Sequence, residues 1–230
     1  MSMPGPFLYA SPEQVMKDRA DYARRNIARG KPIVALEYSD GMLLLAENPS
    51  AMLHKVSEIY DRVAFAGVGK YDEYERLRIL GIRNADLKGY AYSREDVTAR
   101  SLANLYSQVL GQIFTDSLKP FEVEILIAGV GDDGEPGELY RVTFDGVVMD
   151  EQGFAALGGQ AEALSSFLDG RYEPTPTLPA AITLGIEALR EVGNSSLEVK
   201  QIEAAVLDRT LHRRTFRRLT TAELEAALAS

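Results

Sequence analysis

The chain begins with a helical pattern of apolar positions inside a strongly charged stretch. A narrow apolar stripe recurs at three- to five-residue spacing, which predicts an amphipathic helix with one buried edge and a broad exposed face. The residues of this stripe are Val15, Ala20, Ala23 and Ile27. Ser11 is a good N-cap, Pro12 suits the first helical position, and Gly30 supplies a C-terminal stop. Gln14, three residues after the cap, fits a capping box.

After Gly30 the helical spacing gives way to two apolar runs joined by a turn. The runs cover 33–38 and 42–46, and the turn is Ser39-Asp40-Gly41. Asp-Gly between two such runs is a strong hairpin signal, and a strand that is apolar on both sides is typical of burial on both faces. We therefore expect a central hairpin, with the N-terminal helix outside it.

The rest of the chain groups strands with strands and helices with helices. Predicted strands cover 62–66, 121–130, 138–144, 147–149, 202–207 and 215–219, and 51–59 fits either a short helix or an irregular strand. Predicted helices cover 71–81, 96–113, 164–168 and 178–189, and a last one follows Thr220, which has Glu223 three residues on. This grouping argues against alternating βαβ units. It favours an α+β fold, a four-layer αββα sandwich with an extra N-terminal helix.

Composition narrows the class of protein. The chain has 230 residues, 46% hydrophobic and 26% charged, and no linker divides it, so we expect one soluble domain over 11–230 after a flexible tail, 1–10. A formal charge of -9 argues against a general nucleic-acid binder. The absence of cysteine excludes disulfides and suits a reducing cytoplasm. The apolar runs are too short for a membrane span, and the first residues lack the pattern of a signal peptide.

Common catalytic and ligand motifs are incomplete in this sequence. Gly67-Val68-Gly69-Lys70 invites a phosphate-loop interpretation, but Asp72 stands where a dinucleotide-binding fingerprint needs glycine and Tyr71 where a P-loop needs Ser or Thr. We therefore predict a tight strand-to-helix connection. His54 and His212 are the only histidines, and neither a serine-hydrolase elbow nor a zinc motif occurs, so no metal or cofactor is expected.

Two sets of basic residues remain ambiguous from spacing alone. A late basic run, Arg209, His212, Arg213, Arg214, Arg217 and Arg218, could meet nucleic acid, although a solvated strand edge facing acidic surroundings is the favoured interpretation. Lys55 by itself fits an ordinary solvated lysine. Spacing gives it no further role.

Nine segments together resemble one known family. They are 9–14, 18–24, 27–30, 47–50, 53–55, 57–62, 69–71, 96–100 and 205–210. In these segments and in their order, the chain resembles the proteasome α-subunit of the actinobacterial type over almost its full length. The resemblance implies a non-catalytic subunit that forms a homoheptameric ring, with two such rings capping two rings of peptidase β-subunits.

The resemblance also indicates why the chain should not be a peptidase. In the β relatives the mature chain starts with a threonine whose hydroxyl is the nucleophile and whose free amine helps to activate it. The equivalent place here falls near Lys31-Pro32, inside the chain, where there is neither a hydroxyl nor a free amine. The alternative is a catalytic N-terminal-nucleophile peptidase of the same fold that removes a propeptide.

Site residues and partners follow from the same resemblance. The pocket that receives the C-terminal tail of an AAA+ proteasomal ATPase maps onto Lys55, Gly30 and Arg24, with Lys55 facing the tail's carboxylate. The gate over the axial pore maps onto Phe7, Leu8, Tyr9, Pro12 and Tyr22. Substrates would be proteins marked by the ubiquitin-like protein Pup. The chain departs from the archaeal members of the family at two places. The archaeal Tyr-Asp-Arg gate cluster is absent before Ser11. The archaeal pore loop, Arg-Pro-aromatic-Gly, appears here only as Lys119-Pro120-Phe121-Glu122.

Overall fold

The computed structural model describes residues 11–50, 52–131 and 135–229. Its α-helices are α1 Pro12–Ile27, α2 Tyr71–Ala91, α3 Ala99–Asp116, α4 Ala161–Asp169, α5 Leu178–Ala188 and α6 Thr221–Leu228. Its strands are β1 Ile33–Tyr38, β2 Gly41–Glu47, β3 Val56–Tyr60, β4 Val63–Gly69, β5 Val123–Gly129, β6 Glu138–Val142, β7 Val148–Asp150, β8 Phe154–Leu157, β9 Ile202–Asp208 and β10 Phe216–Arg218. Short 3-10 turns precede α3 and β9.

The strands form two antiparallel five-stranded sheets. The first sheet has the order β10-β9-β2-β1-β8, and the second has the order β3-β4-β5-β6-β7. The β1–β2 hairpin pairs Tyr38 with Gly41 and Ile33 with Ala46, so it turns at Ser39-Asp40, and β2 is the middle strand of its sheet. The predicted central hairpin is confirmed.

Three apolar layers hold the sheets and helices together. One lies between the two sheets, where Leu44 of β2 and Leu126 of β5 are both fully buried. A second lies between the first sheet and α4, α5 and α6, and a third between the second sheet and α2 and α3. This is the predicted αββα order, except that three helices rather than a pair cover the first sheet, because α6 packs against α5.

The N-terminal helix packs on one end of the sandwich. The Ser11 hydroxyl accepts a hydrogen bond from the Gln14 amide at 3.2 Å, which confirms the cap, whereas the Gln14 side chain donates to Asp18 at 2.7 Å instead of returning to the cap. Ala23 and Ile27 enter the layer between the sheets, and Val15 is exposed. The buried stripe is therefore shorter than the sequence pattern.

Three further details differ from the sequence expectations, and one alternative that the sequence left open is decided. β8 was not expected, because its four residues give little periodic signal. α2 continues past Gly81, which lies against the buried Tyr106 of α3 and so serves helix packing. β4 continues through Gly69, which has a φ of 108° and leads into α2 through Lys70, so the connection is tight as expected. The ambiguous stretch 51–59 contributes β3. Within the described ranges, no helix combines the length and apolarity needed to cross a membrane.

Candidate functional site

Lys55 lies in the loop that leads from β2 into β3, next to the residues that connect α1 with β1. Its side chain is half-buried, and its Nζ donates a hydrogen bond of 2.7 Å to the carbonyl oxygen of Lys31. Among the residues that the structure describes, no carboxylate forms an ion pair with this ammonium. The ammonium of Lys55 is therefore not paired directly with any carboxylate in the described part of its own chain.

The surroundings of Lys55 lower its pKa. Burial lowers the pKa of Lys55 to about 8, although Glu47 and Glu203 act in the opposite direction and Lys31 adds to the lowering. A poorly solvated ammonium gains more from an approaching carboxylate than a fully hydrated one does. The position is chemically suited to bind an anion.

Lys31 forms an ion pair with the buried carboxylate of Glu47. Its Nζ lies 2.8 Å from Oε1 of Glu47, whose side chain is 6% exposed, and the Asn194 side-chain amide donates to the same oxygen at 3.5 Å. Lys31-Pro32 is also the place where the resemblance locates the nucleophile of the β relatives. Here Gly30 precedes Lys31, so neither a hydroxyl nor a free α-amine occupies the position.

Glu203 of β9 fixes the Lys55 loop. It accepts hydrogen bonds from the amides of Lys55 at 2.8 Å and Val56 at 3.3 Å. Side-chain groups of Asn48, Arg218 and His54 also lie 2.7, 2.7 and 3.1 Å from its carboxylate. Sequence reasoning missed this residue, and the one available signal was a glutamate inside the apolar run 202–207.

Gly30 is the residue before Lys31, whose carbonyl oxygen accepts the hydrogen bond from the Lys55 ammonium. Its amide already donates to the carbonyl oxygen of Ile27 at 2.8 Å. The role of Gly30 in binding an activator tail stays a prediction.

Arg24 is not brought to Lys55 within one chain. Its guanidinium lies 5.6 Å from the ring centre of Phe144, just beyond β6, and 3.5 Å from Asp21. Lys55 precedes β3, and three strand spacings of the second sheet, roughly 14 Å, separate β3 from β6. The two basic side chains thus lie on opposite sides of the end of the sandwich that α1 covers.

The predicted gate residues divide into two groups. Phe7, Leu8 and Tyr9 lie outside the described residues. Pro12 is the first residue of α1, as expected, and the half-exposed Tyr22 donates from its hydroxyl to Oε1 of Glu122 at 3.2 Å. Tyr22 therefore links α1 to the loop before β5.

Two buried carboxylates organise that loop. Glu73 accepts from the amide of Glu122 at 2.6 Å and from Nζ of Lys119 at 2.8 Å. Lys119 also pairs with Glu122 and lies 5.9 Å from the ring centre of Tyr22. Burial alone would lower the pKa of Lys119, but its hydrogen bonds to Glu122 and Glu73 raise it above the usual range. The Lys119-Pro120-Phe121-Glu122 segment is thereby fastened to both α1 and α2.

The late arginine run faces carboxylates of its own chain. Arg214 pairs with Glu58 at 2.6 Å, Arg218 with Glu203 at 2.7 Å, and Arg217 with Glu223. Arg209 lies 3.8 Å from Glu37. These contacts support the interpretation of the arginine run as a strand edge that is paired with acidic residues, and they argue against its use as a nucleic-acid surface. Within the part of the chain that the structure describes, no three metal-ligating side chains cluster as an ion would require.

Comparison with known proteins identifies the family. The family model described as proteasome subunit matches residues 27–207. The proteasome subunit alpha of Streptosporangium roseum is 56% identical over 229 residues, covering 100% of this chain and 88% of the relative. Those of Thermomonospora curvata and Kineococcus radiotolerans are 51% and 52% identical and cover at least 99% of both chains. Because α-subunits are the non-catalytic ring subunits, the alternative of a catalytic peptidase is not supported. The chain therefore belongs to the proteasome subunit family, as a non-catalytic subunit of the α type that assembles into a proteasome with β-subunits.

Proposed function

We propose that seven copies of this chain form the end ring of a proteasome core particle, control access to its interior and dock an AAA+ ATPase. The ATPase would deliver cytoplasmic proteins marked with Pup to the β-subunits. In this proposal residues 1–10 are the gate and residues 11–230 form one ring-building domain. The membership of the α-subunit family supports the ring, and the chemistry of the Lys55 pocket supports the docking.

The observation that carries the docking proposal is the unpaired ammonium of Lys55. Its Nζ has a carbonyl oxygen at 2.7 Å but no described carboxylate as a partner. The C-terminus of an activator ends in a free carboxylate, which would supply the missing counter-ion. A charge-assisted contact of this kind contributes about 1.5–3 kcal/mol.

The separation of Arg24 from Lys55 supports a pocket shared by two copies. Arg24 is a residue of α1 and lies near Phe144, whereas Lys55 precedes β3, so the two occupy opposite sides of the same end of the fold. In a closed ring each subunit presents one side to each neighbour, so Arg24 of one copy can approach Lys55 of the next. An activator tail that enters between neighbours would then meet both basic groups.

The gate proposal is supported by the anchoring of α1. Arg19 donates to the carbonyl oxygen of Phe114 at 2.6 Å, and Tyr22 bonds to Glu122. These contacts fix the helix against α3 and the loop before β5. Pro12 begins the helix, and the Phe7-Leu8-Tyr9 segment that precedes it in the sequence is the proposed plug of the pore.

The test uses the assembled particle with its β-subunits and a synthetic peptide that carries the C-terminal residues of the partner ATPase. Activation is the rate of fluorogenic-peptide hydrolysis with the synthetic peptide divided by the rate without it. We expect Lys55→Ala to assemble into rings that are visible by electron microscopy. We expect its apparent affinity for the synthetic peptide, measured from the activation, to be at least tenfold weaker than that of the wild type.

Two controls make this test specific. Lys200→Ala removes an exposed lysine that pairs with Glu198, and it should respond as the wild type does. The same synthetic peptide with an amidated C-terminus should activate the wild type poorly and should no longer discriminate between wild type and Lys55→Ala. Unchanged activation of Lys55→Ala by the free-acid peptide would refute the docking proposal.

A further inference from the structure

Glu203 stands out among the buried polar groups because it belongs to the opposite sheet from the loop that it holds. Its side chain is 9% exposed and comes from β9 of the first sheet, whereas Lys55 directly precedes β3 of the second sheet and Val56 is the first residue of that strand. The hydrogen bond from the Lys55 amide to Glu203 spans 148 residues of sequence. The carboxylate therefore sets the position of the Lys55 loop relative to β1 and β2.

The five donors around Glu203 use both of its oxygens. Oε2 accepts from the Lys55 amide and from the side-chain amide of Asn48, and Oε1 faces the Val56 amide, Arg218 and His54. Arg218 also donates to the Val56 carbonyl oxygen at 2.8 Å, and Asn48 donates to that of Leu53 at 2.6 Å. Both polar groups of the Val56 backbone are thus held by one carboxylate–guanidinium pair.

We propose that Glu203 is the positioning residue of the docking pocket, holding the Lys55 backbone so that the lysine ammonium stays beside the Lys31 carbonyl and available to an incoming carboxylate. This inference rests on the docking function proposed above. Glu203 does not itself touch the docking partner. It acts through the loop geometry and through its negative charge.

The charge of Glu203 gives the proposal a second, independent readout. The charged groups that act on the Lys55 ammonium are Glu47 of β2, Glu203 of β9 and Lys31, and Arg218 of β10 and His54 in turn contact Glu203. Glu203 raises the pKa of Lys55 against the effect of burial. Without that charge the pKa of Lys55 falls further, so the ammonium is lost at a lower pH. A residue that only supported the fold would not move this limit.

The experiment measures activation of the assembled core particle by the free-acid ATPase-tail peptide as a function of pH. For Glu203→Gln we expect an apparent affinity about tenfold weaker than that of the wild type. We also expect its upper pH limit of activation to shift downward. Glu58→Gln is the matched control, because Glu58 is on β3, the strand that follows Lys55, and pairs with an exposed arginine, Arg214. It should retain the wild-type affinity and pH limit.

The outcomes separate this inference from the docking proposal. Weak activation of Lys55→Ala together with wild-type affinity and pH limit in Glu203→Gln overturns the role of Glu203 alone. Wild-type activation of Lys55→Ala refutes the docking proposal itself. If Glu203→Gln does not assemble, Glu203→Asp replaces it in the test. This variant keeps the negative charge, but its side chain is one methylene shorter, so the carboxylate lies farther from the Lys55 loop. We then expect weaker docking with an unchanged pH limit, and wild-type affinity overturns the inference.

Discussion

Lys31 and Glu47 form an ion pair of 2.8 Å, whereas the ammonium of the nearby Lys55 has, among the described residues, only the Lys31 carbonyl oxygen as a hydrogen-bond partner. The two lysines meet where α1 passes into β1, and the buried Glu47 is held by the first of them. This division of partners explains how a half-buried ammonium stays without an ion-pair partner among the residues that the structure describes. The pairing of Lys31 with Glu47 therefore contributes to the chemistry of Lys55, beside the larger effect of burial.

Replacing Lys31 tests this relationship. In Lys31→Met the carboxylate of Glu47 loses its partner, and the positive neighbour that lowers the pKa of Lys55 is gone. We expect the pKa of Lys55 to rise above about 8 and docking of a free-acid peptide to weaken as Glu47 competes for the ammonium. Acylation of the Lys55 amine as a function of pH, followed by mass spectrometry, measures the pKa. Lys200→Met is the control, and an unchanged Lys55 profile in Lys31→Met would contradict the prediction.

The pH dependence of docking follows from the lowered pKa. Lys55 is protonated below about pH 8 and neutral above it, and only the ammonium attracts a carboxylate. Activation by the free-acid peptide should therefore decline between about pH 7 and 9, earlier than an ordinary lysine would allow. The ratio of activated to basal hydrolysis measures this effect. A ratio that stays constant to pH 10, or an equal decline in Lys55→Ala, would contradict it.

Deleting residues 1–8 tests the gate. We expect the complete particle to hydrolyse small peptides several-fold faster, because the segment with Phe7 and Leu8 no longer closes the pore. Removing residues 229–230 at the other end of the chain serves as the control. Thermal unfolding of both variants shows whether the fold itself is affected. An unchanged rate after deletion of residues 1–8 would remove the gate from the proposal.

Gly30→Ala tests the close contact between the end of α1 and the sheet. An added Cβ would lie 2.4 Å from Cγ1 of Val68, which is fully buried, and 3.3 Å from the amide nitrogen of Gly69. Because Val68 cannot move away freely, we expect the free energy of unfolding to fall by about 1–3 kcal/mol. Thermal or denaturant unfolding measures this change.

Gly170→Ala is the matched control for that substitution. Its added Cβ would meet no atom within 4 Å, and its φ of -81° suits any residue. The free energy of unfolding should therefore stay the same or rise slightly. Equal destabilisation by the two substitutions would show that the contact with Val68 is not the cause.

Local signals in the sequence determined much of the architecture. Ser11 and Thr220 were recognised as helix caps, and Thr220 does exchange hydrogen bonds with Glu223 as a capping box requires. The Asp40-Gly41 turn and the apolar runs on either side gave the central hairpin. These features depend on residues a few positions apart, so the sequence contains their whole physical cause.

The chemistry of the Lys55 pocket was decided by the tertiary structure. From spacing alone Lys55 is an ordinary solvated lysine. The family resemblance implies that it faces the carboxylate of an activator tail, but it does not describe the burial or the neighbours of the ammonium. Among the described residues Lys55 has no ion-pair partner, because Glu47 pairs with Lys31, and its position depends on Glu203, which is 148 residues away in the sequence. The Lys31–Glu47 pair forms when β1 and β2 pair, but the contacts with Glu203 form only when the two sheets stack, because burial and partners are set by which strands become neighbours in space.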